Sequence, residues 1–326
     1  AARREALNKS ISQLSFVETS ASGVREARLG SGRFLLGDDV AQTLAFAGVE
    51  RESIADRGLQ CVRRTLSDGK CYFVLNATDE ALNDWVPLQS GTASVAIFEP
   101  MQGDRALAAL RKNGTRREIY LQLAPGQSCI LRTFDEPAQG PRYAYWSPKG
   151  PATPLEGTWS IDFVEGGPEL PATVRTQTLK SWTGFGGEAV KRFSGTARYS
   201  ISLKRPVEHA DGWLLSLGRV CESARVTLNG RELGTLISAP FQIAVSADRL
   251  KEENTLQVEV SNLMGNRIAD LERRGVNYKK FYNVNFAARL RESRGPDGNF
   301  SAAKWPAQDS GLIGPVTLTP LQALIP

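Results

Sequence analysis

Residues 223–233 read SARVTLNGREL and residues 254–263 read NTLQVEVSNL. In the second stretch Leu256, Val258 and Val260 alternate with Gln257 and Glu259, the two-residue period of a strand with one buried and one wet face. In the first, Asn229-Gly230 sits between alternating runs, a strong hairpin signal because both residues accept a positive φ. The same grammar extends outward through WSIDFV from Trp159, GTARYSISLKRP from Gly195, GWLLSLGRV from Gly212, FQIAVS from Phe241 and GLIGPVTLTPL from Gly311. Strands of that number and spacing predict an antiparallel sandwich of jelly-roll type over residues 157–326. Residues 263–300 interrupt the rhythm, and a long excursion inside a compact domain is usually functional or disordered.

Upstream, LQCVRRTL, CYFVLNAT, ASVAIFEP, REIYLQLAPG and SCILRTF predict a first antiparallel sandwich over residues 51–135, with Asp68-Gly69 in a tight turn. Five prolines between Pro137 and Pro154 make residues 136–156 a stiff connector. Residues 1–50 read as helix, strand and helix, with Asp38 or Asp39 capping the second helix and Gly48 ending it. Such a piece ordinarily lies against a parallel sheet, so it is expected to be a short α/β remnant. The fold expected is therefore mainly β: two antiparallel sandwiches behind that remnant.

The residue counts exclude several chemistries. One histidine, His209, stands in a turn-like stretch; Ser-His-Asp and Cys-His machinery and multi-histidine zinc sites would all hang on that single imidazole and are set aside. Cys61, Cys71, Cys129 and Cys221 lack metal-ligand spacing and sit among apolar neighbours, so buried thiols are expected and a disulfide is the alternative. No uninterrupted apolar run much exceeds five residues, whereas a membrane span needs roughly twenty. The first ten residues carry arginines without an apolar block behind them, unlike an intact secretory signal. The formal charge is +5, and between Arg267 and Arg294 eight Lys/Arg face three carboxylates. That imbalance attracts polyanions, or it is a solvated loop. Nucleic acid ranks last among partners, because the segment shows no recognition helix or known module.

The runs FSGTARYSISL, GWLLSLGRVCESARVTLNGRELGT followed by APF, NTLQVEVSNLMGNRIADLERRGV and SGLIGPVTL together carry a resemblance. So do GSGRFLLGDDVAQTLAFAGV, DGKCYFVLN, AIFEPMQGD and YLQLAPGQSCILRTF. In this order they resemble the carboxy-terminal portion of glycoside hydrolase family 106 α-L-rhamnosidases. More broadly, the second half resembles the galactose-binding-like jelly-roll domain attached to family 2 type glycosidases. The resemblance implies a periplasmic or secreted hydrolase of plant polysaccharide, whose chemistry resides in a large amino-terminal (α/β) barrel. No eightfold βα pattern occurs here, so it also implies the tail of such an enzyme, with the absent barrel as a partner and no catalytic residue carried over by position.

Glycoside hydrolysis needs two carboxyls facing one bond, one with a raised pKa. Asp270 and Glu272, beside Glu259 on a neighbouring strand, are the candidate pair, and the competing reading makes them partners of Arg267, Arg273 and Arg274. Sugar binding needs an aromatic face and planar polar groups. Trp182, in a glycine-rich and therefore exposed loop, is a candidate, as are Asn266, Arg267, Tyr278, Lys279, Tyr282 and Asn283 of the excursion. The competing reading has these aromatics plug the excursion onto its sandwich while Asn262, Asn266 and Arg267 bond loop backbone. Trp159, Trp213 and Trp85 fall in strand contexts and are expected in the core. Asp297, in the stretch DGN, is the candidate for a structural calcium loop. The leading expectation is a non-catalytic carbohydrate-binding or supporting region for rhamnose-containing, acidic pectin. The alternatives are a self-sufficient hydrolase with its acids between the sandwiches and a purely structural assembly domain.

Overall fold

The computed structural model describes residues 2–49, 51–88, 91–100, 103–114, 116–279 and 290–326. It is mainly β, built from antiparallel sheets and a few short helices. No helix among the described residues is long and apolar enough to cross a membrane.

The amino-terminal piece departs from its expected form. The Ala2–Ser12 helix precedes three strands, Val17–Glu18, Val24–Leu29 and Gly32–Gly37, which pair antiparallel with one another. The piece thus builds its own small sheet and does not lean on a parallel one. The reason is local: Gly30, at φ 59°, turns the chain back on itself so that Leu29 faces Gly32. The following Val40–Phe46 helix is capped as expected, Asp39 Oδ1 accepting from the Ala41 and Gln42 amides at 2.8 and 3.1 Å.

In the first sandwich a five-stranded sheet runs Leu59–Leu66, Gly69–Asn76, Ser128–Phe134, Ser94–Glu99, Asp104–Leu107, each strand hydrogen-bonded to the next. Facing it is a three-stranded sheet of Leu82–Leu88, Arg116–Leu123 and Leu110–Asn113. Alternate residues such as Tyr72, Val74, Ile119, Leu121 and Leu131 are wholly buried between them, while Phe73 points outward. Each such burial contributes about 1.5–3 kcal/mol. The Leu82–Leu88 strand escapes sequence patterning because Asn83, Asp84 and Pro87 are poor strand formers; it is tolerated as an edge.

The second sandwich pairs a six-stranded sheet, centred on Ser194–Lys204, Glu253–Ser261 and Ser223–Leu228, with a sheet that runs Tyr145–Pro148, Thr317–Leu324, Gly212–Ser216, Gln242–Ser246. Leu256, Val258 and Val260 are buried, and Asn229-Gly230 turns its hairpin with φ of 53° and 79°. Trp159 and Trp213 join this core as expected, whereas Trp85 is only half-buried, with the Arg111 guanidinium 4.3 Å above its ring. His209 is exposed. All four cysteines are free thiols, Cys129 and Cys221 buried and the other two partly so.

The proline-rich connector is also partly strand. Tyr145–Pro148 forms an edge of the second sandwich, and Thr153–Pro154 pairs with the Thr317–Leu324 strand. Next to these pairs the two sandwiches meet. The Gln122 side-chain amide bonds both backbone groups of Trp146, accepting from its N–H at 2.9 Å and donating to its carbonyl at 2.6 Å. Beside it the buried Tyr145 hydroxyl donates to the Tyr120 carbonyl at 3.1 Å and accepts from the Ala109 amide at 2.9 Å.

Gly311 shows how tightly the second core is filled. At φ 95° its added Cβ would overlap the Tyr199 hydroxyl and approach the Trp182 ring to 2.6 Å. Gly311→Ala is expected to destabilise the second sandwich by about 2 kcal/mol or more. Gly184→Ala, whose Cβ would meet only the Lys180 side chain at 3.7 Å, is expected to stay within about 0.5 kcal/mol of wild type. Denaturant midpoints of the two variants check both.

Candidate functional site

The excursion begins with a helix, Gly265–Arg273, that sequence patterning did not reveal, and the helix decides the fate of the candidate residues. Asp270 and Glu272 stand two positions apart on it, a spacing that turns side chains to different sides. Asp270 is held by Arg267 and Arg274, each at 3.1 Å. Glu272 accepts from the Tyr278 hydroxyl and the Lys279 ammonium, both at 2.9 Å, and from Ser301 at 3.3 Å. Glu259 is paired with Arg198 at 2.7 Å and Arg225 at 3.5 Å. The expected catalytic pair, with Glu259 beside it, is therefore corrected to three carboxylates each held in its own ion-paired cluster. Burial alone would raise the Glu272 pKa, but the bonds from Lys279, Tyr278 and Ser301 outweigh it and hold the carboxyl below its ordinary value. A general acid at neutral pH needs the opposite shift.

The sugar-binding candidates are similarly engaged. Trp182 is fully buried, its ring edge-on to Phe163 at 5.6 Å and Phe193 at 5.7 Å, so the expected exposed stacking face is corrected to a core ring. The glycines after it mark a loop but do not lift the ring out, and the Trp182 amide bonds the Ser310 carbonyl at 2.9 Å. Asn266, 5% exposed, donates to the Gln308 carbonyl at 2.9 Å and accepts from the Gln308 amide at 2.7 Å, the loop-bonding role of the competing reading. Arg267 serves Asp270, and Tyr278 and Lys279 serve Glu272. Lys279 also donates to the Phe300 carbonyl at 2.7 Å, and Arg273 to those of Ala303 and Trp305 at 3.0 and 2.6 Å. Tyr282 and Asn283 lie outside the described residues. Asp297 is exposed and accepts from the Asn299 amide and side chain at 3.1 and 2.9 Å, which lowers its pKa. Among the described residues no three His, Cys, Asp or Glu gather as a metal site would require, around Asp297 or elsewhere.

The concave site lies elsewhere, in a cleft of about 750 Å³ between the two sandwiches. Gln122, Gln127 and Glu99 line it from the first sandwich, Arg142, Tyr143 and Trp146 from the connector, and Arg231, Glu232, Ser238 and Arg249 from the second. Its volume falls within the range of small-ligand sites. Glu99, 6% exposed, accepts from the Tyr143 hydroxyl at 2.8 Å and from Gln127 at 3.5 Å. Burial first, and then the Glu99 charge, push the Tyr143 phenol well up, so it remains a donor. Trp146 is half-buried, its ring edge packed over Gly212 so closely that a Cβ there would come within 3.0 Å. Sequence reasoning named a cleft between the sandwiches but none of these residues. The only local signal was a tryptophan amid tyrosines in the connector.

No family model matches the chain. A protein named "Putative beta-glucuronidase" from Formosa agariphila is 36% identical over 187 residues, which is 51% of this chain and 15% of that protein. The structure of a rhamnosidase from Novosphingobium sp. PP1Y superposes with a TM-score of 0.67 at 24% identity, covering 91% of this chain and 27% of that one. The chain is thus similar to a region of glycoside hydrolases, and it spans well under a third of either relative's length. The structural likeness establishes a shared fold.

The Glu272 cluster has a pH signature. With its folded pKa depressed, its contribution is full above the ordinary glutamate value near 4.5 and is lost as pH falls through the folded value. Glu272→Gln should therefore cost about 1–2 kcal/mol at pH 7. The difference from wild type should shrink on acidification below that value, as read from unfolding curves at both pH values.

Proposed function

We propose that this chain is a non-catalytic, carbohydrate-binding and supporting region of an α-L-rhamnosidase-like glycoside hydrolase that acts on rhamnose-containing plant polysaccharide. The observation that carries the reading is the likeness to the Novosphingobium rhamnosidase, which extends over 91% of this chain but only 27% of that enzyme. A body of this kind corresponds to one part of a larger hydrolase, and the parent's chemistry then belongs to residues outside it. Two further features support the reading. Asp270 and Glu272 of the excursion are spent on ion pairs, and the inter-sandwich cleft offers an aromatic ring, amides and hydroxyls of the kind that grip a sugar.

The alternative of a hydrolase in its own right rests on that cleft, where Glu99 and Glu232 are the carboxylates. The purified chain is expected to show no turnover of an aryl α-L-rhamnoside and to release heat with rhamnogalacturonan fragments below millimolar concentration in titration calorimetry. Turnover that disappears in Glu99→Gln would replace this reading with the hydrolase one. Concentration-dependent self-association with no response to saccharide would favour a purely structural role.

A further inference from the structure

We propose that the cleft between the sandwiches binds an anionic oligosaccharide, with Arg105, Arg142, Arg231 and Arg249 meeting its acid groups and Trp146 stacking a sugar ring. The inference rests on the carbohydrate reading above and gives it a location and a ligand charge. The four arginines come from three distant stretches of chain and converge on one concavity. Among the described residues, Arg142, Arg231 and Arg249 have no carboxylate within ion-pair distance. Several guanidinium groups elsewhere are matched, as in Arg111 with Glu118, Arg198 with Glu259 and Arg219 with Asp309, so what distinguishes these four is their convergence on one concavity.

The cleft's own two carboxylates offset the four arginines only in part and leave a positive surplus. Glu99 is engaged by Tyr143 and Gln127, which leaves Glu232 on the wall. Asp248, outside the lining, is held ionised by a bond from Ser246 and offsets part of the charge of Arg249 and Arg231. Unpaired guanidinium groups in a partly enclosed site favour carboxylate or sulfate oxygens, which their planar fork meets two at a time.

The remaining lining argues for a saccharide over other anions. Gln122 clamps the Trp146 backbone, and the edge of its ring lies against Gly212. A fixed indole face suits the apolar side of a pyranose, and Gln127 and Gln242 suit hydroxyls. One stacking ring with four cations is sparse for a nucleic-acid strand, which ordinarily uses successive aromatics along a basic groove.

Titration calorimetry of the full chain at low salt tests this with tetragalacturonate, the same oligomer reduced to neutral galactose units, and a sulfated galactan fragment. Tetragalacturonate should bind, and the neutral oligomer should bind at least about tenfold more weakly. Arg105→Ala/Arg142→Ala and Arg231→Ala/Arg249→Ala should each weaken binding by at least about tenfold, and Trp146→Ala should weaken both oligomers, all at unchanged circular dichroism. Arg291→Ala in the excursion should change nothing. Tighter binding of the sulfated fragment with the same variant pattern would support the site and assign its acid groups to sulfate.

Equal affinity for the charged and neutral oligomers would overturn the inference, as would loss of binding in Arg291→Ala alone. Tighter, variant-sensitive binding of a single-stranded DNA oligomer would do the same. If rhamnogalacturonan binds but the cleft variants match wild type, this inference fails while the carbohydrate reading stands. If no saccharide binds at all, both fail.

Discussion

Gln122 holds the molecule together by acting as a piece of backbone. Its amide presents one acceptor and one donor in the geometry of a neighbouring strand, and the exposed edge at Trp146 takes both. An edge strand with unpaired N–H and C=O groups would otherwise be open to other chains. Here the first sandwich closes it, and Tyr145 passes through the same joint into the tyrosine cluster beyond. Its ring lies 5.2 Å from Tyr120 and 4.9 Å from Tyr143, edge-on to both. The relative placement of the sandwiches, and so the width of the cleft beside the joint, follows from these contacts.

Charge in this chain is spent very differently at two places that a count cannot tell apart. The excursion carries the largest surplus of cations in the sequence, yet Arg267, Arg274 and Lys279 are neutralised by Asp270 and Glu272, and Arg273 is absorbed by backbone carbonyls. The Arg273 bonds fasten the helix to the Ala302–Trp305 loop and the other pairs brace the helix itself, so these basic residues work as internal fasteners. The cleft arginines are fewer and dispersed in sequence, but they outnumber the two carboxylates that line the cleft with them. A field that attracts an anion depends on cations left uncompensated in space, which net charge along a segment does not measure.

The strands were legible because period-two burial is written residue by residue, as in Leu256, Val258 and Val260, and because Asn-Gly and Asp-Gly turns leave few conformational choices. The amino-terminal sheet was not, since its reversal depends on Gly30 in a stretch that also reads as a single strand before a helix. Trp182 was misjudged for a related reason: glycines signal a loop but not whether the loop covers a ring or exposes it. The Gly265–Arg273 helix was hidden because it is short, opens on a glycine and has no side-chain cap at Met264 to mark its start. The cleft was the least legible, because its residues meet only after two sandwiches and a connector have folded and docked.

That dependence on docking separates a rigid site from a merely concave one. The first 49 residues bury Val24 and Ala27 but leave Leu7, Ile11, Phe34, Leu36 and Leu44 exposed, so this piece has hydrogen-bonded strands with little core beneath them. Segments of that kind open at low free-energy cost. The cleft is instead lined by strands and turns whose opposite faces carry the two large cores, with Leu121 and Leu123 flanking Gln122 on one side and Ile243 and Val245 flanking Ala244 on the other. Moving a lining residue would expose fully buried neighbours, at about 1.5–3 kcal/mol for each large side chain. A ligand therefore meets walls already in place and spends little of its interaction energy on ordering them.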